Sequence, residues 1–172
     1  RGDNAPWHAL GVLYIGVPAL SLMALRLVSG LNGSLVVLGL FLIVWSTDTG
    51  ALLVGRLVGG PKLAPAISPG KTWAGTIGGS VAAALVYGLY IAMIGHAAGQ
   101  AALFALVFSI AAHLGDLLES VFKRRFGTKD TGGLIPGHGG ALDRMDSTLV
   151  AAPVLAVLVF AFHFNPLFGG PW

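Results

Sequence analysis

Residues 116 to 146 hold five of the chain's seven acidic residues and five of its ten basic ones. Within that stretch Asp143 and Asp146 stand three apart, a spacing that shares one face of a helical turn and lets both carboxylates hold one hard cation or bridge two. Asp116 and Glu119 repeat the spacing. Clusters of carboxylate oxygen select Mg²⁺ or a similar ion over soft metals. Between the two pairs lie Lys123, Arg124, Arg125 and Lys129, donors suited to phosphate oxygens. Gly132, Gly133, Gly137, His138, Gly139 and Gly140 follow, where bare backbone amides can approach a phosphate closely and His138 can donate to it. Carboxylates for metal, cations for phosphate and glycines for backbone contact read together as phosphoryl or nucleotidyl transfer. A charged juxtamembrane loop with internal ion pairs accounts for the same composition.

A second polar segment, Ser68-Pro69-Gly70-Lys71-Thr72-Trp73, precedes a long apolar run. Lys71 and the hydroxyls of Ser68 and Thr72, at an expected helix start, resemble a small anion site on the positive end of the helix dipole. Either hydroxyl also serves as a plain N-cap. The glycine and lysine spacing of a Walker loop is missing. Asp48 interrupts an apolar run, where insertion costs ~2.5–3.5 kcal/mol, so a functional role is its default expectation; the alternative is pairing with Arg56, two turns on. His113, three residues before Asp116, either supports the site or packs a span. His8, His96 and His163 are expected at interfaces, and Trp7, Trp45, Trp73 and Trp172 mostly in the aromatic belts near span ends.

The elements that must position these groups are membrane helices. The chain of 172 residues is 55% hydrophobic and 10% charged, against roughly 25% charge in soluble domains. Such a chain cannot cover a water-facing surface. Net charge +3 comes from basic residues flanking apolar runs, not from a basic stripe with interleaved aromatics, so no nucleic-acid partner is expected. The absence of cysteine removes disulfides, thiolate catalysis and Cys-based zinc sites. No signal peptide is visible, and the start at Arg1 carries the expectation that a segment precedes it.

Five apolar stretches approach or exceed the ~20 residues that cross ~30 Å of hydrocarbon: His8–Val28, Leu31–Thr47, Trp73–Ile94, Ala101–Leu118 and Thr148–Phe168. The second can continue as helix through Asp48 to Val58. Strands are excluded by length and by the lack of alternation. The expected fold is therefore all-α, a polytopic integral membrane bundle of about five helices forming one catalytic region over residues 1–172. Small residues in the third and fourth spans favour close helix approach. The polar loops, about 56–72 and 119–147, carry Arg56, Lys62, Lys71, Lys123, Arg124, Arg125, Lys129 and Arg144. The positive-inside rule puts both in the cytoplasm, where they can form one site.

At this point the order of residues resembles a family signature. Ser120-Val-Phe-Lys123-Arg124, Lys129-Asp130, Gly132, Ile135-Pro136-Gly137-His138-Gly139-Gly140 and Asp143-Arg144-Met145-Asp146 look like that of the phosphatidate cytidylyltransferases, also called CDP-diacylglycerol synthases. A second block is similar: Asp48-Thr-Gly-Ala-Leu with Gly55-Arg56, then Lys62-Leu63 and Ile67 to Trp73. The resemblance covers residues 44–79 and 112–147 and departs at Ala74, where the family often carries Glu or Gln. The family is also longer, so the chain looks like its carboxy-terminal catalytic portion.

The resemblance implies conversion of CTP and phosphatidate to CDP-diacylglycerol and pyrophosphate. It implies catalytic Asp116, Lys129, Asp143 and Asp146, with metal on Asp116, Asp143 and Asp146. Asp48, Ser68, Lys71, Thr72, Lys123, Arg124, His138, Gly139, Gly140 and Arg144 would then contact substrate. Two cations are expected, Mg²⁺ and a second that is divalent or monovalent. Expected partners are CTP, phosphatidate, membrane lipid and a second copy of the chain, in a bacterial inner membrane with the site facing the cytoplasm. A CTP-dependent lipid kinase would use similar loops but move the γ-phosphate, and an ion-coupled transporter could also carry Asp48 and Asp116 in its spans.

Overall fold

The computed structural model describes residues 5–28, 32–125, 127, 145–167 and 170–171. Five helices carry the chain: α1 (Ala5–Leu27), α2 (Gly33–Val58), α3 (Trp73–Met93), α4 (Ala98–Arg125) and α5 (Asp146–Phe162). Four of them, α1 to α4, are long and apolar enough to cross a membrane. The 26 residues of α2 and 28 of α4 give about 39 and 42 Å at ~1.5 Å per residue. Both exceed ~30 Å of hydrocarbon, so one end of each reaches the polar boundary. The α2 helix runs unbroken through Asp48. The polar connector expected from residue 119 is helical as far as Arg125.

The last helix differs from expectation. It has 17 residues and stops at Phe162 rather than Phe168. Its cap, His163, adopts φ 50°, a left-handed conformation, and Pro166 follows three residues later, where it cannot continue the helix. The Asn165 side chain then accepts from Leu167 N at 2.9 Å. A two-residue ladder between β3 (Phe164–Asn165) and β4 (Gly170–Pro171) closes this end.

The core mixes large side chains such as Leu40, Ile43, Tyr87 and Leu155 with many small ones. Ala83, Ala105, Ala112, Ala151 and Ala152 are fully buried, whereas Leu57, Leu85, Leu89 and Met93 stand 84%, 69%, 63% and 79% exposed. Lipid is as apolar as leucine, so helices associate by close packing of small residues and turn large side chains outward. The seam between α2 and α3 is the tightest case. A Cβ at Gly79 would lie 2.5 Å from Thr47 O, and one at Gly78 would lie 2.5 Å from Val54. Tyr87 Oη donates to Pro166 O at 2.9 Å and Tyr90 Oη to Leu35 O at 2.9 Å, fastening the end of the bundle away from the charges.

Between α2 and α3 the expected loop is a small hairpin. The chain leaves α2 through Gly59 (φ 66°) and Gly60 (φ 94°), conformations open to glycine at little cost. Strand β1 (Lys62–Ala64) pairs antiparallel with β2 (Ser68–Thr72), and Trp73 N donates to Pro61 O at 3.1 Å. The hairpin therefore delivers Lys71 and Thr72 directly to the start of α3.

Candidate active site

Five elements converge on one cavity of about 750 Å³, α3 lining it with Gly75 and Thr76. The second half of α2 supplies Trp45, Asp48, Thr49 and Arg56; β2 supplies Lys71 and Thr72; α4 supplies His113 and Asp116; the first residue of α5 is Asp146. The glycine seam makes the convergence possible. A Cβ at Gly75 would lie 2.7 Å from Ala51 O, and one at Gly115 would lie 3.0 Å from Asp146 O and Ser147 Cα. With hydrogen at Gly115, α4 touches the beginning of α5, and Asp116 is brought alongside Asp146.

The polar contacts inside the cavity form a chain. Lys71 Nζ lies 2.6 Å from Asp116 Oδ2. Asp146 Oδ1 accepts from Ser147 N at 2.7 Å, a first-turn carboxylate on the positive end of its own helix. Ser147 Oγ lies within reach of both Asp48 Oδ1, at 3.2 Å, and Asp146 Oδ1, at 3.4 Å. The two aspartates, 98 residues apart in sequence, thus flank a single buried hydroxyl. Among the described residues Asp48 is not ion-paired with Arg56; it turns to Ser147, while Arg56 lines the same cavity.

Thr72 has two roles. Its Oγ1 accepts from Gly75 N at 3.1 Å as the N-cap of α3 while it lines the cavity. Ser68, at the outer end of β2 opposite Ala64, does not line it. His113 bonds through Nε2 to Thr76 O at 3.0 Å and lies 3.5 Å from Ser80 Oγ, which accepts from Ser109 Oγ at 2.6 Å. This polar thread descends from the cavity floor between α3 and α4. Lys123 and Arg124 lie outside the lining: Lys123 Nζ is 2.8 Å from Glu119 Oε2, and Arg124 Nε donates to Ile67 O at 3.2 Å, tying α4 to the hairpin. Lys129, His138, Gly139, Gly140, Asp143 and Arg144 lie outside the described residues.

One carboxylate oxygen from each of Asp116, Glu119 and Asp146 can be chosen so that all three lie within 4.8 Å of one another. Cis and trans ligands on an octahedral Mg²⁺ stand about 3 and 4.2 Å apart, given metal–oxygen distances near 2.1 Å. Hard oxygen donors, buried and clustered, suit Mg²⁺ by charge and by type.

Sequence spacing did not single out Arg56 or Trp45 as cavity residues. For Arg56 the available signal was its place near the polar end of α2, two turns beyond Asp48.

Comparison with known proteins agrees with the geometry. The model of the cytidylyltransferase family matches residues 4–162. A phosphatidate cytidylyltransferase of Brucella suis biovar 1 (strain 1330) is 49% identical over 162 residues, covering 93% of this chain and 59% of that protein. One of Staphylococcus haemolyticus (strain JCSC1435) is 41% identical over 158 residues, covering 91% of this chain and 59% of that protein. The chain thus spans about three-fifths of the length of the curated relatives it matches.

Proposed function

We propose a function from one premise: the chain belongs to the cytidylyltransferase family. The protein transfers the cytidylyl group of CTP to phosphatidate, forming CDP-diacylglycerol and releasing pyrophosphate. The observation that carries this reading is the single cavity holding Asp48, Arg56, Lys71, Asp116 and Asp146 at the polar end of long apolar helices. The names of the relatives support the choice of substrates.

The chemistry asks little of a base. A phosphate monoester has a second pKa near 6, so the lipid phosphate arrives largely ionised. One of its oxygens attacks the α-phosphorus of CTP, forming a new P–O bond. The bond from the α-phosphorus to the α–β bridging oxygen breaks, and the electron pair leaves with pyrophosphate. The barrier lies in bringing one anion to another, which makes positioning and charge the main contributions of the protein. Lys71 and Arg56 face the polyphosphate from β2 and α2. Asp116 and Asp146 would hold Mg²⁺, together with Asp143. Positive charge from an ion held there would offset the charge on the α-phosphate and on the departing pyrophosphate. Acyl chains remain in hydrocarbon while the headgroup reaches the cavity.

The same reading places the protein in a bacterial inner membrane, cavity toward the cytoplasm, on the strength of the basic residues around it. It also includes a second cation, divalent or monovalent, and a homodimer. The test is Mg²⁺-dependent pyrophosphate release by the full-length protein given CTP and phosphatidate. Label from the α-phosphate of CTP should enter lipid; label from the γ-phosphate entering lipid would instead make it a kinase. Ion-coupled flux without nucleotide turnover would make it a transporter. Asp146→Asn should abolish transfer while the protein stays folded and inserted, and near-normal turnover in that variant would remove the metal assignment.

A further inference from the structure

We propose that Glu119 is a cation-holding carboxylate, gripping the ion from the protein side while Asp116 and Asp146 face the substrate cavity. The inference rests on the cation of the proposed reaction and assigns it a third described ligand. Asp116 and Asp146 line the cavity and Glu119 does not, yet a Glu119 oxygen lies within 4.8 Å of a ligand oxygen of each. Glu119 is only 4% exposed. It stands at the rear of the cluster, one turn along α4 from Asp116.

Its two oxygens are treated differently. Oε2 accepts from Lys123 Nζ at 2.8 Å, one turn further along the same helix. Among the described residues Oε1 is sealed from solvent with no hydrogen-bond donor, and the carboxylates of Glu119 and Asp146 lie within hydrogen-bond reach of each other. Leaving a charged acceptor buried and unsatisfied costs more than the ~1–3 kcal/mol of a neutral one, so a partner is required there. Tyr14 of α1 closes the rear: its ring packs edge-on against Phe122, centroids 5.6 Å apart, and its hydroxyl is likewise sealed from solvent. Water therefore has no ready access to Oε1 from behind.

Charge balance points the same way. Around this cluster Asp48, Asp116, Glu119 and Asp146 bring four carboxylates, against Lys71, Lys123 and the Arg56 that lines the cavity. Like charges this close repel one another, and a further cation offsets that repulsion. An ion held by Asp116, Glu119 and Asp146 satisfies Oε1 and offsets the excess. It also leaves its cavity side open to phosphate oxygens. Lys123 then pairs with the other oxygen, Oε2.

The test uses the full-length protein in detergent, titrated with Mn²⁺ without nucleotide and read by electron paramagnetic resonance. Glu119→Gln keeps the shape and removes the charge; its Mn²⁺ affinity should fall about tenfold or more. Glu119→Asp, whose carboxylate is drawn back, should also bind more weakly than the parent. Lys123→Met removes a competing cation and should leave Mn²⁺ affinity unchanged or raised. Wild-type Mn²⁺ affinity in Glu119→Gln overturns the proposal. So does a pattern in which Glu119→Gln and Lys123→Met each lower the thermal midpoint with affinity unaltered, since that describes a structural ion pair only. If Glu119→Gln fails to fold, Glu119→Asp decides, and undiminished affinity there overturns the proposal. Protein that binds Mn²⁺ through Glu119 but releases no pyrophosphate from CTP and phosphatidate upholds this inference and removes the proposed reaction. Normal turnover with unaltered Mn²⁺ affinity in Glu119→Gln does the reverse.

Discussion

Lys71 Nζ and Asp116 Oδ2 lie 2.6 Å apart, joining the hairpin before α3 to the polar end of α4. On the proposed reaction Lys71 would serve phosphate and Asp116 a metal ion, so the pair holds both side chains at the cavity.

Lys71→Met should therefore act on substrate more than on fold. The expected result is a loss in kcat/KM for CTP of about 10–100-fold, the scale of a charge-assisted contact worth ~1.5–3 kcal/mol. The amount of inserted protein, read by gel filtration in detergent, should be unchanged. Lys71→Arg should restore less than full activity, because a planar fork replaces a compact ammonium.

Asp48 tests whether the Ser147 contact is structural or chemical. Asp48→Asn retains an oxygen that can accept from Ser147 Oγ, now at 3.2 Å, but removes the negative charge. We expect turnover to fall at least about tenfold with a thermal midpoint within a few degrees of the parent. Full activity would make Asp48 a packing partner of Ser147 alone.

The α2–α3 seam predicts a stability effect at a distance from any charge. Gly79→Val would force a side chain to within 2.5 Å of Thr47 O and should destabilise by at least about 1–3 kcal/mol, the usual cost of overpacking. Activity should fall with it, since α2 carries Asp48 and α3 begins beside Lys71. Gly11→Ala, where a Cβ meets nothing within 4 Å, is the matched control and should be neutral. Thermal unfolding in detergent separates the two.

Thr72→Ala removes the cap accepted from Gly75 N at 3.1 Å and should cost about 0.5–2 kcal/mol. Thr72→Ser should recover most of that. A turnover deficit in Thr72→Ser after stability is restored would show that the methyl group shapes the cavity as well.

Much of this protein was legible from its residues. Hydropathy alone specified helices in lipid, because a backbone in hydrocarbon has no other way to satisfy its amides. Charge confined to two connectors pointed to the cavity's lining residues Lys71 and Asp146, and the spacing of Asp116 and Glu119 placed both carboxylates one turn apart on α4. The end of α5 was not legible: hydropathy continues to Phe168, and only the left-handed turn at His163 and the carbonyl of Pro166 under Tyr87 stop the helix at Phe162. Nor could spacing reveal that Ser147 would stand between Asp48 and Asp146, or that Glu119 would lie behind the cavity and Asp116 before it. Those relations depend on how closely α2, α3, α4 and α5 approach, and that distance is set by glycines at the crossings. A sequence states which residues are small, but which backbone each small residue admits is decided only when the helices pack.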